Sequence, residues 1–243
     1  IPGYPTISLG GCVAANVHGK SSDKHGTIRS QIKSIKIFHK INGWLTLSET
    51  ENKEIFELTI GGFGLTGTIV NVELKLIELK NINFITTIEK TYSIKDSVNK
   101  LNFQDNENIF CYSWNKTGNN KKFGEGLIFK NKVVNDNLNN IYKNIDFGNA
   151  DIHNFFPFNL WNIYSIKLFQ NIFFNYHNFY KTKSSKNSFK DVLFPYAGKE
   201  AYFYMFGKNG LIESQILVPF KKIENFVDEL NYNIKKIKPE ITL

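Results

Sequence analysis

The sequence predicts an α+β protein. A hairpin signal at 34–47 and alternating apolar and polar residues at 70–76 indicate strands. The third observation is a predicted helix after Pro219, over 222–236, with one apolar face formed by Ile223, Phe226, Val227 and Leu230. Of the 243 residues, 42% are hydrophobic and 15% are aromatic, so we expect a globular protein with a sizeable core.

The first third of the chain is rich in strand signals. Residues 34–41 alternate around Ile35 and Ile37, and 44–47 form the returning strand of the hairpin. Between them stands Asn42-Gly43, a dipeptide favoured in type I′ turns. A short helix is predicted over 51–58. In the strand that follows, one buried face is predicted to contain Val70, Val72, Leu74 and Leu76.

The middle of the chain alternates between ordered and polar segments. A second short helix is predicted over 95–101, and strands are predicted over 108–114 and 126–134. The Gly- and Asn-rich stretch 115–122 is typical of a loop. The asparagine-dense stretch 135–150 is our candidate for a domain boundary or a surface loop.

Residues 155–180 contain eleven aromatic side chains. Such density is compatible with an apolar substrate pocket or with contact to a membrane surface. A buried or half-buried helix pair is the interpretation that we favour.

Composition excludes several classes of protein. The formal charge is +8, but Arg29 is the sole arginine and the lysines are spread along the chain, so we expect no nucleic-acid role. Cys12 and Cys111 are too few for a disulfide framework or a structural zinc site, and the five histidines lack paired ligand spacing, so no metal is expected. No apolar run approaches the roughly 18 residues of a membrane span, so no transmembrane segment is predicted.

The residues 62–67 match the dinucleotide-binding pattern GxGxxG through Gly62, Gly64 and Gly67. In a Rossmann fold this pattern follows a strand and opens a helix. Here a predicted helix precedes it and a predicted strand follows it. We therefore reject the Rossmann interpretation and expect a tight turn that leads into a sheet.

The stretch GGCVAANVHGK at 10–20 is, like the turn, rich in residues with little or no side chain. Missing or small side chains let a ligand approach the main chain closely. Two such surfaces within sixty residues predict one large ligand. Close packing of strands is the alternative for either segment alone.

GGCVAANVHGK, with Gly26 shortly after it, and IGGFGLTGTIV at 60–70 resemble the FAD-linked oxidases of the vanillyl-alcohol-oxidase type, which have a PCMH-type FAD-binding domain. Within that superfamily the chain is most similar to the decaprenylphosphoryl-β-D-ribose oxidase group. The stretch 193–219 resembles that group's substrate-domain sheet. The resemblance implies that 1–85 is the second half of an FAD-binding domain and 86–243 part of a mixed-sheet substrate, or cap, domain.

The resemblance also implies FAD as the cofactor and assigns residues to it. Lys20 would contact the substrate or the flavin edge as the catalytic residue, and Gln215 would face the substrate. Phe63 stands where the group usually has asparagine, and Glu213 replaces the first residue of the group's Gln-x-Gln. The residues expected to line the FAD are Gly3, Gly10, Gly11, Ala14, Val17, His18, Gly19, Gly64, Gly67 and Ile69.

The implied reaction is oxidation of a secondary CH–OH of a sugar, with hydride transfer to flavin N5. The expected substrate is a sugar, in particular a lipid-phosphate-linked pentose, and a partner reductase would complete a two-step epimerisation. The first residue is Ile1 and the only methionine is Met205, so we expect a fragment that by itself binds FAD poorly and lacks the catalytic base. The expected location is bacterial-type, cytoplasmic or peripheral to the membrane.

Two other functions are compatible with the sequence. An aldonolactone oxidase shares the HG and GLTG-type turns and would keep the flavin but change the substrate. A carbohydrate- or lipid-binding module would have no redox role and would use the aromatic stretch 155–180 as its site.

Overall fold

The computed structural model describes residues 3, 7–20, 22–76, 83–102, 108–117, 123–134, 157–180, 184–195, 201–210, 212 and 216–237. In chain order its elements are α1 (Leu9–Ala14), α2 (Ser22–His25), β1 (Ile32–His39), β2 (Gly43–Ser48), α3 (Lys53–Thr59), β3 (Thr68–Leu74), β4 (Asn83–Thr91), α4 (Ile94–Asn102), β5 (Asn108–Asn115), β6 (Gly126–Val133), α5 (Ile163–Tyr180), β7 (Ser185–Ser188), α6 (Phe189–Leu193), α7 (Ala201–Tyr204) and α8 (Ile223–Ile237).

The predicted α+β class is confirmed for the described part of the chain. Its strands form two antiparallel sheets, with the orders β2-β1-β3 and β5-β6-β4-β7. The helices predicted over 51–58, 95–101 and 222–236 are present as α3, α4 and α8. The candidate boundary 135–150 lies outside the described residues.

The chain divides into two compact units. Among the described residues, the first unit takes in 3–76 and 189–195, and the second takes in 83–134, 157–188 and 201–237. The domain boundary predicted between residues 85 and 86 stays a prediction.

The predicted hairpin is present, because β1 and β2 pair antiparallel, but the predicted type I′ turn is wrong. His39 pairs with Gly43, which leaves a three-residue loop over 40–42. Gly43 has a φ of +69°, whereas Asn42 is not among the residues with positive φ. A type I′ turn requires positive φ at both central residues, so the strand register selects a longer loop than the dipeptide indicates.

A β-bulge in β3 changes which side chains face inward. The pairing of β3 with β1 skips Val70 between Lys36 and Ile37. Val70 is 54% exposed, and Leu76, beyond the strand, is 88% exposed, so their predicted place on the buried face is wrong. The extra residue shifts the alternation of the strand by one. The β3 residues that pack against the core of the first unit are Ile69, Val72 and Leu74.

The core of the first unit joins two helices to its sheet. Ile35 and Ile37 of β1 and Leu47 of β2 are fully buried, and they form one cluster with Val13 of α1 and Phe56 of α3. Burial of each such side chain contributes roughly 1.5–3 kcal/mol. This cluster fixes α1, and therefore the opening glycine stretch, against the sheet.

The second unit packs α5 against its sheet. The ring centroids of Trp114 and Phe173 lie 4.7 Å apart, and Phe174 is buried with Leu127 and Phe129. The prediction of a helix pair over 155–180 is wrong for the described residues 157–180, because these residues contain the single helix α5. An 18-residue helix without an internal glycine or proline has no signal that would break it into two.

The substrate-domain sheet implied for 193–219 is also not observed in the part of this segment that the structure describes. Residues 201–210 form α7 and a 3₁₀ turn, Gly207–Asn209, and no strand lies among the described residues of 193–219. Gln215 lies outside the described residues, so its predicted substrate contact stays a prediction.

Candidate functional site

The structure brings the two glycine-rich segments together. The backbone N–H of Gly61 donates to the carbonyl oxygen of Val13 at 3.1 Å, and the N–H of Phe63 donates to the carbonyl oxygen of Ala14 at 2.9 Å. These bonds tie the end of α1 to the turn between α3 and β3. We call the segments 8–20 and 60–69 together the glycine-rich site.

The opening stretch begins with a helix and not with open chain. Ser8 caps α1, since its hydroxyl accepts the N–H of Gly11 at 3.1 Å. Cys12 and Val13 are buried and anchor the helix. Gly10 has a different environment, because a Cβ placed on it meets no atom within 4 Å. A glycine in a helix costs roughly 0.5–1 kcal/mol relative to alanine, and no contact with the described residues requires glycine at this position.

The turn over 60–67 contains glycines of two kinds. A Cβ on Gly67 would lie 2.7 Å from the carbonyl oxygen of Phe38, so close approach of the sheet explains this glycine. Gly64 has a φ of +80° and open space around its Cβ position. The predicted order of a helix before the pattern and a strand after it is confirmed by α3 and β3. This order supports rejection of the Rossmann interpretation.

Asn16 is a site residue that the sequence reasoning missed. It has a φ of +46°, and its Cβ lies 3.3 Å from the Cβ position of Gly61. Its Oδ1 atom is buried and has no hydrogen-bond partner among the described residues. A buried acceptor without a donor is costly, so this atom marks a place where a donor is missing. The signal was an asparagine within a run of small residues, since asparagine tolerates the left-handed region.

His18, Gly19 and Lys20 follow the helix as an irregular segment. His18 is exposed and forms an isolated β-bridge with Thr27. The Lys20 ammonium donates to the carbonyl oxygen of Val192 at 2.5 Å and to that of Leu193 at 3.4 Å, at the end of α6. A cation is favourable there because the last carbonyls of a helix carry partial negative charge.

Burial lowers the pKa of Lys20 to about 8. The cause is desolvation, which penalises the charged form of the amine. Lys20, the predicted catalytic lysine, is therefore a partly buried amine that is hydrogen-bonded to the main chain at the end of α6.

The remaining predicted cofactor residues are distributed around these contacts. Ile69 packs against the core of the first unit. The carbonyl oxygen of Val17 accepts a hydrogen bond from the backbone N–H of Ile28 at 2.8 Å. Gly3 is exposed, and its Cβ position lies 3.9 Å from the carbonyl oxygen of Leu193, which Lys20 also contacts. The FAD role of every residue in this set stays a prediction.

The described ranges lack two further classes of site. They contain no group of three or more His, Cys, Asp or Glu side chains able to hold a metal ion. No helix in this part of the chain is both long enough and apolar enough to cross a membrane.

Comparison with known proteins gives a distant relationship. No protein-family model matches the chain. Over 101 residues, which are 40% of this chain, it is 26% identical to the decaprenylphosphoryl-β-D-ribose oxidase of Mycolicibacterium smegmatis (strain ATCC 700084 / mc(2)155). The matched segment spans 22% of the length of that relative. The chain is therefore similar to a limited part of an oxidase.

Proposed function

We propose that the chain is part of an FAD-linked oxidoreductase and that the glycine-rich site holds part of the cofactor. The observation that supports this most directly is the pair of backbone hydrogen bonds from Gly61 and Phe63 to α1. They join two segments that are far apart in sequence and that both resemble flavin-binding segments. The similarity to an oxidase supports the same function.

The residues of the site fit such a cofactor in two respects. A Cβ at Gly10 or at Gly64 would enter open space, so a flat or extended group can approach the main chain closely at each of these positions. The buried Oδ1 of Asn16 is an acceptor for which the described residues supply no donor.

In the proposal these residues bind and orient, and FAD supplies the two-electron oxidation of a CH–OH carbon when it is bound. The proposed lining residues are Gly3, Gly10, Gly11, Ala14, Val17, His18, Gly19, Gly64, Gly67 and Ile69. Lys20 holds the end of α6 in place through its two carbonyl contacts. In its ammonium form it also presents positive charge to an anionic substrate group or to a developing oxyanion.

We further propose that the substrate is a sugar, in particular a pentose linked to a lipid phosphate. The similarity to the decaprenylphosphoryl-β-D-ribose oxidase of Mycolicibacterium smegmatis supports this substrate class. A lysine near the reacting carbon suits a phosphate-bearing substrate better than an uncharged lactone. Gln215 remains the second proposed substrate contact.

The first test is the visible absorbance spectrum of the purified intact gene product before and after acid precipitation. We expect a flavin spectrum, and its release into the supernatant would show noncovalent FAD. Flavin that stays in the pellet would show a covalent link and keep the oxidoreductase proposal. A colourless protein that takes up no added FAD would overturn the proposal and favour a carbohydrate- or lipid-binding module.

A substitution then tests the site itself. Gly10→Leu places a side chain in the open space beside α1 and should weaken FAD binding at least about tenfold, because it occupies volume needed by the cofactor. Gly43→Asn is the matched control, since it fills open space at the start of β2 and asparagine tolerates its φ of +69°. Equal FAD affinity in both variants would contradict the proposed site. If FAD binds as expected, activity towards a lactone and not a lipid-linked pentose would overturn only the substrate proposal.

A further inference from the structure

α5 has two apolar faces, and one of them is exposed. The inner face carries Ile166 and Phe174, which are buried in the second unit. The outer face carries large side chains three or four residues apart, so they lie on one side of the helix. We call them the exposed stripe: Tyr164 (82% exposed), Leu168 (62%), Ile172 (59%), Tyr176 (58%) and Phe179 (77%).

The exposed stripe extends along most of the helix. With 18 residues, α5 is about 27 Å long. Isolated apolar side chains on a surface are normal, but a contiguous row of this length marks a contact surface. The core does not require these residues, since the opposite side of α5 already fills the space next to the sheet.

The sequence that flanks the stripe within the second unit carries charges of one sign. Residues 152–188 contain four lysines and no aspartate or glutamate. One of the lysines, Lys167, is exposed on α5 itself. The whole chain has a formal charge of +8. A partner that meets this surface should therefore be apolar at its centre and negatively charged at its edge.

A membrane surface with anionic lipids has this chemistry. Amphipathic helices lie in the interface with their apolar side about 5–10 Å deep, and tyrosines are favoured at that depth. Lys167 on the helix is attracted to the lipid phosphates and carboxylates. Tyrosine and phenylalanine are also enriched at specific protein interfaces, but lysine is depleted there, and the charged residue on this helix is Lys167, with no arginine in α5. The lysine therefore favours lipid over a protein partner.

We propose that the exposed stripe of α5 is a peripheral docking surface for an anionic lipid bilayer. The helix lies on the membrane with Tyr164, Leu168 and Ile172 inserted among the lipid headgroups, and Lys167 stays at the headgroup level. The surface depends on side chains of the second unit alone and does not require the flavin proposal. It would hold the protein where a lipid-linked substrate is found.

The test is co-sedimentation of the purified intact protein with two kinds of vesicle, pure phosphatidylcholine and phosphatidylcholine with about 30% phosphatidylserine. We expect binding to the anionic vesicles that weakens several-fold as salt rises, because the lysine contribution is screened. Leu168→Gln/Ile172→Gln should weaken that binding at least about tenfold, and Lys167→Glu should weaken it mainly at low salt.

The matched control is Ile41→Gln/Leu76→Gln, which removes two side chains that are 86% and 88% exposed in the first unit. It should leave vesicle binding unchanged. Unchanged circular dichroism and melting temperature would show that the α5 variants stay folded. Equal vesicle binding by the α5 variant, the control and the parent protein would overturn the proposal. Self-association without lipid that disappears in the α5 variant would also overturn it, because the stripe would then be an interface between copies.

Discussion

Phe63 combines an unfavourable backbone conformation with a side chain that contacts little. Its φ is +49° and its side chain is 77% exposed. The left-handed region costs a residue with a Cβ atom about 1 kcal/mol or more. We expect Phe63→Gly to raise the free energy of unfolding by about 1 kcal/mol and Phe63→Asn to raise it by less, as measured by urea denaturation. Phe63→Val should lower it, and a loss of stability in the glycine variant would show that the ring is needed in the folded state.

Lys20 should make stability depend on pH in the alkaline range. Its pKa is about 8 in the folded protein and 10.5 in the reference state, so between these values the unfolded chain binds more protons. Stability therefore rises with pH in this window, by roughly 3 kcal/mol in total at about 1.4 kcal/mol per pKa unit. The measurement is urea denaturation between pH 7 and pH 10.5 for the parent protein and Lys20→Met. The difference between the two curves should change with pH, and parallel curves would contradict the burial of a charged amine.

At the scale of elements, the β5–β6 hairpin of the second unit contains a buried ion pair. The ammonium of Lys116, 3% exposed, lies 3.0 Å from a carboxylate oxygen of Glu125 and 3.9 Å from the ring centroid of Phe174. Lys90 contacts the other oxygen at 3.1 Å. Burial alone raises the pKa of Glu125, but the hydrogen bonds from Lys116 and Lys90 hold it below its usual value.

Removal of the Glu125 charge should destabilise the second unit strongly. Glu125→Gln leaves the Lys116 charge buried beside Phe174, and we expect a loss of about 3 kcal/mol in the free energy of unfolding. The double variant Lys116→Met/Glu125→Leu removes both charges and should recover most of that loss. In the parent protein the contribution of the pair should vanish as pH falls through the lowered pKa of Glu125. Equal stability of Glu125→Gln and the parent at pH 7 would contradict this account.

The sequence predicts elements well where one local signal decides them. Alternation around Ile35 and Ile37 is such a signal, and β1 forms there because both side chains reach one core. The bulge at Val70 could not be predicted, because the register between two strands decides it and the local alternation stays regular. α1 was missed for a related reason. Its glycines indicate an open chain, and only the burial of Val13 against distant strands makes the helix favourable.

The candidate site was predictable to a similar extent. Two glycine-rich segments predicted one ligand surface; hydrogen bonds join the two segments, and the ligand itself stays a prediction. The sequence could not distinguish Gly67, which the backbone near Phe38 requires, from Gly10, which none of the described neighbours requires. The contact of Lys20 with α6 could not be predicted either, because it joins residues more than 170 positions apart.

For the whole molecule, the charge of +8 predicts weak and unspecific binding to nucleic acid. Several lysines are held in ion pairs with carboxylates, among them Lys33, Lys90, Lys100 and Lys130, so they add little to a continuous positive surface. Arg29, the sole arginine, contacts Glu49 and Glu57. Neither a phosphate-binding row nor a bidentate contact to guanine is therefore expected.

Fluorescence anisotropy with two unrelated DNA duplexes measures this at several salt concentrations. We expect equal, weak binding to both duplexes near 50 mM salt and its loss by about 200 mM, because only counterion release drives it. Vesicle binding should behave differently, since its apolar part through Leu168 and Ile172 persists when the charges are screened. Tight binding that distinguishes the duplexes at about 150 mM salt would show that the lysines form a recognition surface. The positive charge would then serve to bind nucleic acid and not anionic lipid.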